Sequence, residues 1–220
     1  MKLVLASGSQ RRRELLTMCG YDYEIIVSNA DETIDESDPE SFVRALSLRK
    51  AKEVFDRLSA AGRRDFAVIG SDTVVAFQKD GEAKPVIIGK PKDAKDAVRI
   101  LSMLSGKTHR VFTGVSVIAD IPDENAAAQC SIREKAEIQT ECSITEVTFE
   151  TLSPDEITDY VNSGDPLDKA GSYGIQGPFG MFVREIRGNY FTVIGMPIPV
   201  LYKMLKKIGI LPHGFYERIE

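Results

Sequence analysis

The chain has 220 residues, of which 43% are hydrophobic and 28% charged, and its formal net charge at pH 7 is −5. Those proportions suit one soluble globular domain, or two lobes sharing one sheet. The acidic balance argues against a broad nucleic-acid surface, and no apolar run approaches the roughly 20 residues of a membrane span.

In chain order, Leu3 to Ala6 reads as a strand, too short for a signal-peptide core. It breaks at Ser7-Gly8-Ser9 and opens into a helix from Gln10 to about Cys19, with Gly20 placed to cap it. Tyr23 to Val27 reads as a strand, and Asn29 to Asp38 as an acidic loop. Asp38-Pro39 is a cap followed by proline at the first helical position, predicting a long helix to about Ala60. Phe66 to Phe77 is an apolar strand, Gln78 to Pro85 a hairpin-like excursion, and Val86 to Gly89 the returning strand. Asp93 to Leu104 is a helix with Ala97, Ile100, Leu101 and Leu104 on one face.

The second half is richer in β-sequence. His109 to Ala119 and Ser143 to Thr151 read as paired strands. Between them, Asp120 to Ala128 is polar and loop-like, and Gln129 to Cys142 is a weakly patterned strand or extension. Ser153-Pro154-Asp155-Glu156 is a capping box for a helix closed by Gly164. Lys169 to Gly180 is irregular, Arg187 to Ile194 reads as a strand, and Pro197 to Lys207 as the final helix. The alternation predicts an α/β fold with a mixed sheet.

Cys19, Cys130 and Cys142 lack metal-ligand spacing and fit a reducing, cytoplasmic compartment. With His109 and His213 the only histidines, a His-rich zinc site is excluded, and any catalytic metal should be a hard, oxygen-ligated one.

Several positions carry chemistry. Arg11, Arg12 and Arg13 crowd the first turn of the first helix, where added positive charge is unfavourable. Either salt bridges compensate them, or the Ser7-Gly8-Ser9 turn and the helix mouth bind phosphate. Lys50 lies on the apolar stripe of the long helix, four residues from Leu46 and Val54. It must snorkel or neutralise an anion at a cleft. Asp72 interrupts two apolar β-branched runs and either caps a turn or serves as metal ligand or general base. Asp31-Glu32 is a second carboxylate source or a solvated loop. Lys90, at a strand end, is a surface lysine or a phosphate ligand. Ser105-Gly106-Lys107-Thr108 imitates a P-loop but fails, since the first glycine would fall at Leu101. Gly171, Gly174, Gly177 and Gly180 permit close backbone approach, with Gln176 offering an amide to a base edge; the alternative is an irregular surface loop.

Taken together these segments resemble the Maf family, nucleoside triphosphate pyrophosphatases also called septum-formation inhibitors. Leu5-Ala6-Ser7-Gly8-Ser9-Gln10-Arg11-Arg12-Arg13-Glu14-Leu15-Leu16 is similar to the family's L-A-S-x-S-P-R-R-x-E-L-L, and Ser71-Asp72-Thr73-Val74-Val75 to A-D-T-V-V. Gly89-Lys90-Pro91, Leu104 to His109, Asp168 to Gly177, Gly188-Asn189-Tyr190 and Gly195-Met196-Pro197 follow in order. The resemblance implies an elongated mixed β-sheet with flanking helices and two lobes around a central cleft, of Maf/ITPase-like kind, usually in a homodimer. It implies hydrolysis between the α and β phosphates with a divalent metal cation (Mg, Mn or Co). By that likeness Asp72 is the proton acceptor, and Glu32 helps it hold the metal. Ser7, Ser9, Arg12, Lys50 and Lys90 belong to the substrate site, and Arg11, Thr73 and Gln176 fall on positions tied to base choice. That trio resembles the dTTP/UTP subgroup; the alternatives are 7-methyl-GTP or a broad set of non-standard nucleotides, or a nucleotide-binding regulator of cell division with weak hydrolysis. Gln10 replaces the family's proline and Ser71 its alanine, while the stretch from 120 to 142 reads as a lineage-specific insertion into a single Maf-like domain spanning 1 to 220.

Overall fold

The computed structural model of the chain describes residues 1–79, 81–82, 84–121 and 135–214. Its elements run β1 (Lys2–Leu5), α1 (Gln10–Met18), β2 (Glu24–Ile25), α2 (Pro39–Ala60), β3 (Phe66–Phe77), β4 (Val86–Ile88) and α3 (Ala94–Leu104). There follow β5 (Thr108–Ile121), β6 (Lys135–Phe149), α4 (Pro154–Asn162), three short 3-10 turns between Asp165 and Phe182, β7 (Val183–Arg187), α5 (Tyr190–Ile194) and α6 (Ile198–Lys207).

The described strands form one seven-stranded sheet in the order β2-β1-β3-β5-β6-β7, with β4 also pairing β3. β1 is parallel to β2 and β3, and the remaining pairs are antiparallel. β3 is the axis of the design. One of its edges is filled by β5 from Ala67 to Ala76. The other is shared, with β1 on Phe66 to Ile69 and β4 on Val75 to Phe77. Among the described residues, Gly70 to Val74 therefore have no strand neighbour on that side, and the sheet forks there.

The fork divides the packing into two lobes. Leu3, Leu5, Leu15, Leu16, Met196 and Leu201 build the core around β1, α1 and α6. Ile100, Leu101, Leu104, Phe149, Ile157 and Phe179 build the core around α3 and α4. α2 crosses the opposite face of the sheet and joins them. It begins where Asp38 accepts a hydrogen bond from Ser41 N at 2.9 Å, and it buries Val43, Leu46, Ser47, Ala51 and Val54. Its approach needs bare backbone below. A Cβ on Gly70 would lie 2.7 Å from Ala51 N and closer still to Ser47 O, and one on Gly114 would press on Val43 O and Arg44 N. Gly70 and Gly114 are thus the positions that let α2 settle onto β3 and β5.

Three sequence expectations change. Tyr23 to Val27 contributes only the two-residue β2. β6 starts at Lys135 and pairs β5 out to Ile121, so Asp120 and Ile121 are strand where a loop is expected, while the expected strand or extension is strand from Lys135 to Cys142; residues 122–134 of that stretch, with Cys130, lie outside the described residues. The expected strand from Arg187 to Ile194 is mostly helix: only Arg187 belongs to a strand, and Tyr190 to Ile194 form α5. β7 ends at Arg187, Gly188 turns at φ +130°, and Asn189 caps α5 by accepting from Phe191 N at 2.9 Å. The β-branched and aromatic run Tyr190 to Ile194 favours a strand locally, but a capped start and a left-handed Gly195 stop fix one helical turn.

Candidate active site

Asp72 lies in the fork, on the β3 edge that neither β1 nor β4 covers. Its neighbours on the strand point to the other face, which explains Ser71. That hydroxyl bonds Gly114 O at 2.9 Å and Gly195 O at 3.0 Å, so it ties the sheet to the turn after α5 and does not join Asp72.

Lys50 descends from α2 onto Asp72. Its Nζ is 2.8 Å from Asp72 Oδ1 and 2.9 Å from Glu32 Oε1, and its side chain is only 12% exposed. Lys50 therefore does not snorkel out to solvent; at the cleft it pairs with two of the chain's own carboxylates. Asp72 Oδ2 has no hydrogen-bond partner among the described residues. Glu32 reaches Lys50 from the acidic loop, itself anchored where Arg49 donates to Asp31 O at 2.9 Å and Thr33 O at 2.7 Å.

The mouth of α1 forms the adjoining wall. Ser9 occupies the N-cap position without a side-chain capping bond, and Ser7 Oγ closes the turn by accepting from Ser9 N at 3.2 Å. The three arginines have separate tasks. Arg13 folds back to Gly8 O at 3.0 Å. Arg12 binds Gly195 O through Nε at 2.9 Å, Ser7 Oγ through Nη1 at 3.1 Å and Thr73 Oγ1 through Nη2 at 3.4 Å. Burial pushes its guanidinium below the ordinary range, Asp72 and Glu32 oppose that, and Arg11 adds to it. Arg11 pairs with Asp168 at 3.3 Å. That bond spans the cleft, from the first helix to the glycine-rich segment.

The glycine-rich segment is an ordered wall. Lys169 Nζ binds Asp165 Oδ1 at 3.0 Å and Asp168 Oδ1 at 2.7 Å. Tyr160 donates to Asp165 Oδ2 at 2.5 Å and accepts from Gly174 N at 3.1 Å. Gly171, at φ +73°, bonds Gly89 O, and a Cβ there would sit 2.6 Å from Val75 Cγ2. Behind the wall, Tyr173 meets buried His109 Nε2 at 2.9 Å. Desolvation holds that imidazole's pKa down to about 3, so it is a neutral packing group.

Ser7, Ser9, Arg11, Arg12, Glu32, Lys50, Asp72, Thr73, Lys90 and Gln176 all line one cleft of about 740 Å³. Lys90 and Gln176 are exposed there and have no hydrogen-bond partner among the described residues. Asp168 and Lys169 line it too, and sequence reasoning held them only as the start of a glycine-rich run. An acid–base pair directly before closely spaced glycines was the available signal. Among the described residues no group of three or more His, Cys, Asp or Glu converges as a metal site. Asp72 and Glu32 do converge on a single cation, at present the Lys50 ammonium.

Residues 2–208 match the family described as Maf-like protein. The chain is 43% identical over 210 residues to a dTTP/UTP pyrophosphatase of Bacillus thuringiensis subsp. konkukian, covering 95% of this chain and 96% of that protein. It is 40% identical over 217 residues to a dTTP/UTP pyrophosphatase of Agathobacter rectalis, covering 95% and 98% respectively. Among solved structures, the Staphylococcus aureus Ham1 protein aligns at a TM-score of 0.43 with 15% identity, over 94% of this chain and all of that one, a likeness too slight to bear on function.

Proposed function

The chain belongs to the Maf family, and from that premise we propose that it hydrolyses dTTP and UTP to the nucleoside monophosphate and pyrophosphate. The relatives at 40–43% identity carry that activity in their names. The single observation that carries the reading in this chain is Asp72, held by Lys50 through one oxygen, with the other left free beside a wall of cations.

In the proposed reaction the free Oδ2 of Asp72 takes a proton from water as the water oxygen bonds to the α-phosphorus. The bond from that phosphorus to the bridging oxygen breaks, and pyrophosphate leaves with the electron pair. A triphosphate carries about four charges, so positioning and charge neutralisation dominate the chemistry. Arg11, Arg12 and the α1 mouth supply positive potential on one side of the cleft, and Lys50 and Lys90 on the other. No serine, cysteine or histidine nucleophile enters.

Asp72 and Glu32 suit a divalent cation. Two carboxylates already meeting on one positive centre, with no third His, Cys, Asp or Glu converging among the described residues, match the habit of magnesium, which takes one or two carboxylates plus substrate oxygens. When bound, magnesium, manganese or cobalt would neutralise phosphate charge in that position. The proposed base readers are Arg11, Thr73 and Gln176. A cytoplasmic homodimer with no nucleic-acid partner belongs to the same reading, supported by the cysteine count, the net charge and the family. So does a single two-lobed domain with an insertion between 120 and 142. No helix among the described residues is long and apolar enough to cross a membrane.

Pyrophosphate release from UTP, dTTP, CTP, GTP and 7-methyl-GTP with each divalent metal tests the proposal. Fastest release from UTP and dTTP is expected. Preference for 7-methyl-GTP would replace the substrate class, and tight binding without turnover would replace the activity.

A further inference from the structure

Thr73 and Thr113 face each other across the β3–β5 ladder, their hydroxyl oxygens 3.0 Å apart, and the contact alone leaves open which one donates. A second contact closes the question. Thr113 Oγ1 lies 2.7 Å from the main-chain oxygen of Thr192 in α5. A carbonyl oxygen only accepts, and a hydroxyl has one proton to give. The Thr113 proton therefore belongs to Thr192. The opposite assignment would set two oxygens 2.7 Å apart with no proton between them and leave a carbonyl without a donor beside a fully buried hydroxyl.

The consequence passes to the cleft. With its own proton spent, Thr113 Oγ1 can only accept from Thr73. Arg12 Nη2 donates to the same Thr73 oxygen at 3.4 Å. Thr73 lines the cleft, and what it has left to offer there is a lone pair with no proton. The carbonyl that sets this order is itself fixed, because Thr192 Oγ1 bonds Ser143 Oγ at 2.7 Å and Thr192 N bonds Asn189 O at 3.1 Å.

We propose that Thr113 is a specificity-determining positioning residue: by taking the Thr73 proton it makes Thr73 an acceptor-only reader of the pyrimidine ring. The inference rests on the pyrimidine triphosphate reading above. Uracil and thymine present an N3–H donor, which a lone pair accepts. Cytosine presents a bare N3, which sets lone pair against lone pair. Gln176 cannot make that distinction alone, since its amide carries donor and acceptor and turns over to suit either base. The locked hydroxyl breaks the tie.

The test compares kcat/KM for UTP and CTP, by pyrophosphate release, in the unaltered protein, Thr113→Val and Thr113→Ser. Valine keeps the shape but removes the acceptor, freeing the Thr73 hydroxyl to turn and donate to cytosine N3. The UTP-to-CTP ratio should fall by about tenfold or more, mainly through a gain on CTP, as expected when a site built around one hydrogen-bond polarity loses it. Serine keeps the acceptor and should keep the ratio. An unchanged ratio in Thr113→Val, or an equal loss in both variants, would overturn the proposal. If circular dichroism shows Thr113→Val unfolded, Thr73→Val decides: a loss confined to UTP supports the acceptor role, and parallel losses on UTP and CTP refute it. An unaltered protein that cleaves UTP and CTP equally refutes this inference while leaving the activity standing. One that releases no pyrophosphate from any triphosphate refutes the activity itself.

Discussion

Lys50 and Asp72 meet at 2.8 Å, although one comes from the middle of a long helix and the other from a strand interior. The contact follows from two absent side chains. Gly70 and Gly114 leave no Cβ on the sheet beneath α2, so the helix lies close enough for Lys50 to reach the fork. The fork leaves the Asp72 edge of β3 uncovered. Backbone close approach thus sets the geometry of the charged pair, and the pair sets where a polyanion and a water molecule would meet.

Asp72→Asn keeps the size of the side chain and an acceptor for Lys50 but removes the base. Turnover should fall by about 10²–10⁴ while the circular dichroism spectrum stays native. Activity within a few-fold of the unaltered protein would contradict the assigned role.

Gly114→Ala places a methyl group against Val43 O and Arg44 N. α2 must lift, at a cost of about 1–3 kcal/mol in stability, and Lys50 should lose its place over Asp72. Thermal midpoint and kcat are expected to drop together. Gly89→Ala, with nothing among the described residues within 4 Å of the added atom, should leave the midpoint unchanged.

Arg12→Lys retains the charge but cannot serve Gly195 O, Ser7 Oγ and Thr73 Oγ1 at once. The turn after β1 and the Thr73 hydroxyl lose a common anchor. A decrease in kcat/KM of roughly tenfold or more is expected from steady-state kinetics, since hydrogen bonds from a charged donor contribute about 1.5–3 kcal/mol. Full activity would show that charge alone suffices.

His109 imposes a pH dependence on stability. Burial keeps it neutral in the fold down to about pH 3, whereas the unfolded chain titrates near 6.5. Between those values the unfolded state binds the extra proton, so this contribution is complete above about 6.5 and drains as pH falls toward about 3. On moving from about pH 7 to about pH 5, urea unfolding should show the unaltered protein losing roughly 2 kcal/mol more than His109→Gln. Equal losses would mean that the ring is accessible to protons.

Much of the scaffold is written locally. Asp38-Pro39 starts α2, Ser153 with Glu156 starts α4, and the apolar run Phe66 to Phe77 is β3 end to end. The oddly placed charges of the cleft were also visible, because an arginine cluster at a helix mouth and a lysine on an apolar stripe contradict local preference. What local pattern hides is partnership. The polar residues Glu137, Gln139 and Glu141 blur β6, which is a strand through its register with β5. Tyr190 to Ile194 looks extended until Asn189 and Gly195 are seen to bracket it. Arg12 resembles its neighbours in sequence, yet it alone turns inward to Thr73 and Gly195. The role of Thr113 depends on a carbonyl 79 positions away.

Where the water oxygen ends up bears most directly on the attack assigned to Asp72. UTP hydrolysed in ¹⁸O-labelled water should give UMP carrying the label and unlabelled pyrophosphate. Label in the pyrophosphate, or UDP and inorganic phosphate as products, would contradict attack at the α-phosphorus.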